Sequence, residues 1–220
     1  MKIICVIPAF NEAKTISEVV VKVGQQVDVV VVVDDGSSDN TASLAQTAGA
    51  IVLRHPINRG QGAALRTGTQ YALDQGADVI VHFDSDGQFV AEEISEVVAP
   101  IVNGEVDAVF GSRFLGKENN LPLFKKKVIL PLGRLFNLIF LGVHFTDSQI
   151  GFRALSAQAA RRLNWQQDKM AHASEILWLT RLVKIKYREI GVTVHYADFG
   201  QRLSGGFKIA SDLFLGRFLK

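Results

Sequence analysis

The sequence lacks several features that would assign a protein class at once. It has a single cysteine, Cys5, so a disulfide framework is excluded, and we expect this thiol to be buried in an apolar run. Its five histidines have no spacing typical of a metal site, and the chain shows no internal repeat or low-complexity linker. These absences favour an ordinary globular protein of a reducing compartment.

Long hydrophobic runs are also missing. Pro8, Asn11 and Glu12 interrupt the N-terminal apolar run early, so we expect no signal peptide. The longest later stretch, residues 128–145, follows three lysines and is interrupted by Pro131, Arg134, Asn137 and His144. It is too short and broken for a membrane span, and we predict an amphipathic helix on the core or at a membrane surface.

Composition and charge indicate one globular chain with two different halves. The 220 residues are 48% hydrophobic and 21% charged, which predicts a single domain over 1–220. Residues 1–112 have a net charge of −9, and residues 113–220 have +11. An acidic half suits a cation, whereas a basic half suits phosphates, an anionic membrane or nucleic acid. Simple solvated surface charge explains part of this excess.

The N-terminal half alternates between short β-branched runs and helix-like segments. Strands are predicted at 3–7, 29–33, 50–53, 79–83 and 106–110, and helices at 13–25, 40–48, 61–75 and 91–103. This alternation predicts an α/β fold with a parallel sheet. Further on, the pattern predicts a helix at 172–185, a strand at 187–196 and an amphipathic tail at 207–218.

Polar residues follow four of these strands, and ligands of parallel sheets gather at such carboxyl ends. Asp84-Ser85-Asp86 follows a buried strand directly, so its two carboxylates suit a hard divalent cation bound to a diphosphate. The alternative is a turn with an aspartate cap. Asp34 and Asp35 end another strand and suit a nucleobase or ribose, or an Asx turn.

Two more segments are candidates for the same site. Residues 8–12 end the first strand and suit a base pocket, although Glu12 could instead cap the next helix. Gly60 and Gly62 open a helix, where backbone can approach an anion. Tight packing of that helix is the alternative explanation for both glycines.

Together these segments resemble glycosyltransferase family 2, and most of all its polyprenyl-phosphate (dolichol-phosphate) sugar synthase branch. The resemblance covers about residues 1–210, and six strings in order make it specific. They are Val6-Ile7-Pro8-Ala9-Phe10-Asn11-Glu12, Val33-Asp34-Asp35-Gly36-Ser37-Ser38-Asp39-Asn40-Thr41, Asn58-Arg59-Gly60-Gln61-Gly62-Ala63-Ala64, Phe83-Asp84-Ser85-Asp86-Gly87-Gln88, Gly111-Ser112-Arg113 and Asp147-Ser148-Gln149-Ile150-Gly151-Phe152-Arg153.

The resemblance implies a GT-A fold, with a mostly parallel central sheet flanked by helices and an amphipathic helical region on the acceptor side. It implies a nucleotide-diphosphate sugar donor and Mg²⁺ or Mn²⁺ bound by Asp84, Asp86 and Gln88. It further implies nucleotide-sugar binding by Pro8, Phe10, Glu12, Asp35, Gly60, Gly62, Asp84, Ser85 and Arg113. Arg202, Gly205 and Lys208 match a late phosphate-binding pattern of the branch, and two fixed cations suit a leaving diphosphate.

The departures from the branch fall on the acceptor side. Phe89 and Ala91 stand where His and Pro are common, Phe207 replaces a serine before Lys208, and the chain ends at Lys220 without membrane helices. We expect in-line displacement with inversion at the anomeric carbon, assisted by Asp86, Arg202 and Lys208. A lipid-phosphate acceptor needs no strong base. A hydroxyl acceptor does, and Asp147 is then the candidate, with Glu175 second. Asp147 could instead be a cap or the partner of Arg153, and Glu175 a helix-surface charge near His172.

Three functions therefore compete: transfer of a hexose from a GDP-mannose or UDP-glucose type donor to a polyprenyl phosphate, transfer to a glycan hydroxyl, and a non-catalytic nucleotide-binding module. An oxidoreductase is disfavoured because Gly60-x-Gly62 follows the third strand rather than the first. We expect a cytoplasmic protein that is peripheral on the membrane or bound to a membrane-protein partner. We expect no nucleic-acid partner, and a homo-oligomer is one of the alternatives for its assembly. Trp165 and Trp178 are predicted core residues, and His55, His144 and His195 are predicted packing or surface residues.

Overall fold

The computed structural model describes residues 1–115 and 145–195. These residues form one seven-stranded sheet with helices on both faces. The strands are β1 (Ile3–Ala9), β2 (Val29–Asp34), β3 (Ile51–Arg54), β4 (Val79–His82), β5 (Ala108–Ser112), β6 (Arg153–Ser156) and β7 (Tyr187–Gly191). The helices are α1 (Ile16–Gly24), α2 (Thr41–Thr47), α3 (Gln61–Asp74), α4 (Ile94–Val102), α5 (Ala157–Arg162) and α6 (His172–Leu182), with a 3₁₀ turn at Ala91–Glu93.

The strand order is β3-β2-β1-β4-β6-β5-β7. Only β6 pairs antiparallel with its neighbours, and its Arg153 lies opposite His82 of β4. The carboxyl ends of β1, β2, β4 and β5 meet at one edge of the sheet, because β1, β2 and β4 are parallel and both β4 and β5 run antiparallel to β6. The α/β prediction with a mostly parallel sheet is confirmed.

The sheet is buried on both faces, which explains its continuous β-branched runs. One face packs on α1 and α4 through residues such as Val32 and Val81. The other packs on α3, α5 and α6 through residues such as Val6 and Leu155. Gly68 of α3 permits close contact with β1, because a Cβ there would lie 2.3 Å from Cγ1 of Val6.

The five predicted N-terminal strands and four predicted helices are present with ends shifted by a few residues. The predicted strand at 187–196 is shorter, since β7 ends at Gly191. β6 and α5 were not predicted at all. The expected amphipathic helix at 128–145 and the tail at 207–218 lie outside the described residues, apart from Phe145. Among helices of the described ranges, none is long and apolar enough to cross a bilayer.

The two tryptophans differ in their environment. Trp165 is buried, as predicted, and its Nε1 donates to the Gly62 carbonyl over 2.9 Å. Trp178 is 41% exposed, so its predicted core position was wrong. It follows the buried pair Ile176 and Leu177 on α6, and its side chain lies on the solvent-facing side of the helix.

Candidate active site

Asp84 lies two residues beyond the end of β4, at the edge where the strand ends meet. Its Oδ1 accepts a hydrogen bond from Nε2 of Gln61 over 2.9 Å. A Cβ added to Gly151 would lie 2.2 Å from Oδ2 of Asp84, so only glycine leaves room for the carboxylate. Burial, then repulsion by Asp86, raises the pKa of Asp84 to about 6, and the charges of Arg153 and Arg113 oppose this rise.

Asp86 is exposed beside this carboxylate, and its Oδ1 accepts the Gln88 backbone N–H over 3.0 Å. Partial burial raises its pKa. Ser85 between the two aspartates is buried. Repulsion between adjacent carboxylates is relieved when a cation binds, so this donor set fits Mg²⁺ or Mn²⁺.

No group of three His, Cys, Asp and Glu side chains in the described ranges is arranged to bind a metal alone. Mg²⁺ commonly takes only one or two carboxylates and completes its coordination with water and substrate phosphates. Asp84 and Asp86 therefore suit a cation that arrives with a diphosphate. The amide oxygen of Gln88, predicted as a third ligand, belongs to the same turn.

Asp35 is almost fully buried and accepts hydrogen bonds from within the protein. Its Oδ1 lies 2.6 Å from Nδ1 of His55, and its Oδ2 accepts the Gly60 backbone N–H over 2.6 Å. The Arg59 backbone N–H donates to both oxygens, at 3.0 and 3.1 Å. The acceptor positions of this carboxylate are thereby filled. Asp35 fixes the loop around residues 58–60, and its predicted direct contact with a base stays a prediction.

His55 and the two glycines are explained by the same packing. His55 is buried and connects Asp35 to Oγ1 of Thr67, at 3.0 Å, so it has a definite structural contact. A Cβ on Gly60 would lie 2.4 Å from the Asp168 carbonyl oxygen, and one on Gly62 would lie 2.2 Å from that of Gln167. Protein backbone approaches both glycines closely. Tight packing therefore explains why glycine stands at these positions, and their predicted part in binding the donor stays a prediction.

Residues 8–12 and the loop after β2 are hydrogen-bonded to each other. Pro8 is buried in β1, and Phe10 is 45% exposed. The backbone N–H of Glu12 donates to Oγ1 of Thr41 over 2.8 Å. Burial, and then the charges of Asp86 and other acids, raise the pKa of Glu12. Its carboxylate accepts from Oγ1 of Thr15, the N-cap of α1, over 3.1 Å, whereas the backbone N–H groups of Thr15 and Ile16 donate to the Glu12 carbonyl.

Arg113, which is partly exposed, and the buried Asp147 form a bidentate pair. Nε of Arg113 lies 2.6 Å from Oδ2 of Asp147, and its Nη2 lies 2.7 Å from Oδ1. The partner suggested by the sequence for Asp147 was Arg153, and that alternative was wrong. Glu189 of β7 fixes the loop that carries Asp147, since its carboxylate accepts from the backbone N–H and Oγ1 of Thr146 at 2.7–3.0 Å.

Glu175, the second candidate base, is also engaged. Its Oε2 accepts the backbone N–H groups of Gln166 and Gln167 over 3.0 and 2.8 Å. Both candidate bases therefore have structural partners. Arg202, Gly205 and Lys208 lie outside the described residues. The described chain ends at His195, whose backbone N–H donates to the Gln88 carbonyl over 2.9 Å, beside the metal motif.

Sequence reasoning assigned no site role to Gln61, Gly151, Arg153 or Glu189. Gly151 and Arg153 belong to a quoted string, and Gln61 lies between the two glycines of another. Membership in these strings was the sequence feature that could have identified them as site residues. Their contacts with Asp84 and its surroundings depend on strand register and could not be read from spacing alone.

This fold and site define a glycosyltransferase, and the chain belongs to glycosyl transferase family 2, whose model matches residues 4–165. It is 33% identical to a UDP-N-acetylglucosamine–dolichyl-phosphate N-acetylglucosaminyltransferase of Methanococcus voltae, over 93% of this chain and 91% of the relative. It is 29% identical to an undecaprenyl-phosphate mannosyltransferase of Micrococcus luteus, over 94% and 89%. The resemblance to the polyprenyl-phosphate branch is confirmed.

A solved structure of Mycobacterium tuberculosis glucosyl-3-phosphoglycerate synthase, in complex with Mn²⁺, UDP and phosphoglyceric acid, has the same fold. Its TM-score is 0.73 at 22% identity, over 97% of this chain and 76% of that one. The GT-A fold expected from the sequence is thereby confirmed.

Proposed function

We propose that this chain, acting as one catalytic domain, transfers a hexose from a nucleotide-diphosphate sugar to a polyprenyl phosphate with inversion. A phosphate oxygen of the acceptor forms a bond to the anomeric carbon, and the bond from that carbon to the diphosphate breaks. The products are a polyprenyl phosphate sugar and a nucleoside diphosphate. The donor is of the GDP-mannose or UDP-glucose type, or a UDP-N-acetylhexosamine as in the Methanococcus relative.

The engagement of both candidate bases is the observation that supports this acceptor. Asp147 is paired through both oxygens with Arg113, and Glu175 binds two backbone N–H groups. A hydroxyl acceptor must lose a proton to such a carboxylate. A lipid phosphate is already an anion and needs no base, so the geometry favours it. The acceptors in the names of the two relatives agree.

On the donor side, Asp84, Asp86 and Gln88 would bind Mg²⁺ or Mn²⁺. The cation would neutralise charge on the leaving diphosphate. Arg113, oriented by Asp147, presents a fixed positive charge toward Asp84 and the diphosphate. Arg202 and Lys208 are proposed to add two further cations there. His195, the last described residue, lies beside Gln88, and Arg202 follows it by seven residues in the sequence.

The nucleotide would lie along residues 8–12 and the loop after β2. Phe10 offers an exposed ring, and Pro8 and Glu12 flank it. Asp35 would contribute by fixing the loop around residues 58–60, which together with Gly60 and Gly62 would bind the donor. Ser85 would support the turn that carries Asp84 and Asp86. Because the acceptor is a membrane lipid, we propose that the protein works at the cytoplasmic surface of a membrane. The basic C-terminal half suits anionic headgroups, and a membrane partner or a homo-oligomer is compatible with this placement.

The test is a transfer assay with Mn²⁺ and radiolabelled GDP-mannose, UDP-glucose or UDP-N-acetylglucosamine. Dolichyl and undecaprenyl phosphate are the acceptors, and the corresponding free polyprenols are matched controls without the phosphate. We expect label to enter the organic phase with the phosphates only, and Asp86→Asn to abolish transfer. Exposed Asp74→Asn is the control variant.

Two results would contradict the proposal. Transfer to free polyprenol at a comparable rate would show that a base deprotonates a hydroxyl. Donor turnover only with a soluble glycan would favour transfer to a carbohydrate hydroxyl. If no donor binds even with the metal, the enzyme assignment itself fails for these substrates.

A further inference from the structure

The carboxylate of Asp84 is supported by residues from two other segments of the chain. β4 and β6 place His82 opposite Arg153, so these side chains share one face of the sheet. Asp84, two residues beyond His82, points to that same face, and α3 covers it. Gln61 begins α3, and Gly151 precedes Arg153 by two residues. The topology therefore brings three distant segments around one carboxylate.

Gln61 makes the direct contact. Its Nε2 lies 2.9 Å from Oδ1 of Asp84, and a hydrogen bond to a charged acceptor is stronger than one between neutral groups. Gln61 is the first residue of α3, whose start is fixed by the bond from the Ala63 backbone N–H to the Asp168 carbonyl, at 3.1 Å. The amide is thus presented from a rigid element.

Arg153 provides a positive charge on the face of the sheet that it shares with His82. Arg153 is 1% exposed, and within the part of the chain that the structure describes its guanidinium donates to the carbonyls of Gly151 and Ile150, over 3.3 and 3.4 Å. Among the described residues, no carboxylate forms an ion pair with it. A buried cation without an ion pair is costly unless a nearby anion offsets it. The Gly151 whose carbonyl accepts from Nε of Arg153 lies directly against the Asp84 carboxylate, since a Cβ on Gly151 would lie 2.2 Å from Oδ2 of Asp84. Arg153 therefore fixes the backbone on which this carboxylate packs.

We infer that Gln61 and Arg153 are positioning residues that hold the Asp84 carboxylate in the orientation that binds the divalent cation. This inference rests on the proposed function, which assigns the cation to Asp84. Neither residue touches the substrate in this scheme. Outer residues that orient metal ligands typically change metal affinity by about 10- to 100-fold when they are replaced.

The test measures Mn²⁺ affinity directly, by the electron paramagnetic resonance signal of free Mn²⁺, with UDP and with GDP present. We expect Gln61→Ala to raise the Kd for Mn²⁺ about 10-fold. Gln70→Ala is the matched control, because Gln70 lies on the same helix and donates from Nε2 to Asp74 over 2.8 Å on the exposed surface. Its Mn²⁺ affinity should equal that of the wild type.

Arg153→Met is expected to raise the Kd by about 10- to 100-fold, and Arg153→Lys to restore most of the affinity because it keeps the charge. The exposed Arg188→Met, on β7 of the same sheet, is the control. A thermal unfolding scan identifies folded variants. If Arg153→Met does not fold, Gln61→Ala decides the question alone.

Kinetics provide the second measurement. KM for the nucleotide sugar at limiting Mn²⁺ should rise in both variants, while KM for polyprenyl phosphate stays unchanged. The inference is overturned if wild-type protein binds no Mn²⁺ with either nucleotide, or if Gln61→Ala stays within about twofold of the wild type. Failure of the proposed function is a different result, because label then fails to reach the lipid although the Mn²⁺ affinities change as expected.

Discussion

Replacing Gly151 with alanine should damage the active site while leaving the fold intact. A Cβ at this position would lie 2.2 and 2.3 Å from the two carboxylate oxygens of Asp84. Ordinary contacts of this kind begin near 3.4 Å. The carboxylate must therefore move by about 1 Å, and a displacement of that size at a reacting centre can cost about 100-fold in rate. The bond from Gln61, 2.9 Å long, would be lost or weakened.

The expected cost in stability is small. The clashing atoms are the end of a side chain, which can rotate, and Gly151 is not among the glycines with a left-handed φ. Alanine also restricts the unfolded chain, which contributes about 0.4–1 kcal/mol of stability. We therefore expect Gly151→Ala to unfold within about 1 kcal/mol of the wild type.

The assay compares kcat/KM for sugar transfer and the Kd for Mn²⁺ with a thermal unfolding scan of the same protein. Gly24→Ala is the matched control, because a Cβ there would contact only Cγ2 of Val30, at 3.8 Å. Wild-type kcat/KM and Mn²⁺ affinity in Gly151→Ala would refute the reasoning. Large destabilisation would refute the claim that the fold tolerates the change.

Three further outcomes are expected. Asp147→Asn should lower kcat/KM about 10-fold, because it weakens the pair with Arg113. The variant should still lose activity at low pH as the wild type does. If this fall of the rate at low pH disappears in the variant, Asp147 is a general base. Burial, and then the charge of Arg153, lowers the pKa of His172 to about 4, so its contribution to stability is present above about pH 6.5 and is lost as the pH falls toward 4. In urea unfolding, His172→Asn should flatten this dependence by up to about 3 kcal/mol. Burial raises the pKa of the Cys5 thiol, so a thiol reagent should label it only in denaturant, and native labelling would contradict its position in β1.

The predicted elements were those with a strong local pattern. β2 is a run of valines ending in aspartate, and such a run has few alternatives to a buried strand. β6 has the sequence Arg-Ala-Leu-Ser, with no β-branched residue, so its pattern gave no indication of a strand. It forms because β4 and β5 each pair with it from one side. Such long-range pairing is not encoded in local spacing.

The same distinction applies to the site. Asp84 and Asp86 are adjacent in sequence, so their joint role could be inferred from one motif. The contacts of Asp84 with Gln61 and Gly151 join segments that are 23 and 67 residues away in the chain, and they exist only once the strand register is set. Asp147 shows the converse: its carboxylate in a string typical of the family suggested a base, whereas the structure shows a bidentate contact with Arg113 that local sequence did not indicate.

The distribution of charge at this edge argues for an order of binding. The pKa of Glu12 is raised by burial and then by acidic neighbours that include Asp86, and Asp86 in turn raises the pKa of Asp84. Negative charge is therefore crowded at the edge, and either a diphosphate or a lipid phosphate would be repelled from it. A divalent cation bound with the donor reverses this local field, since the ion is the largest charge in the site. We accordingly expect metal and donor to bind before the lipid phosphate, and the acceptor to approach from the basic half of the chain, whose net charge is +11.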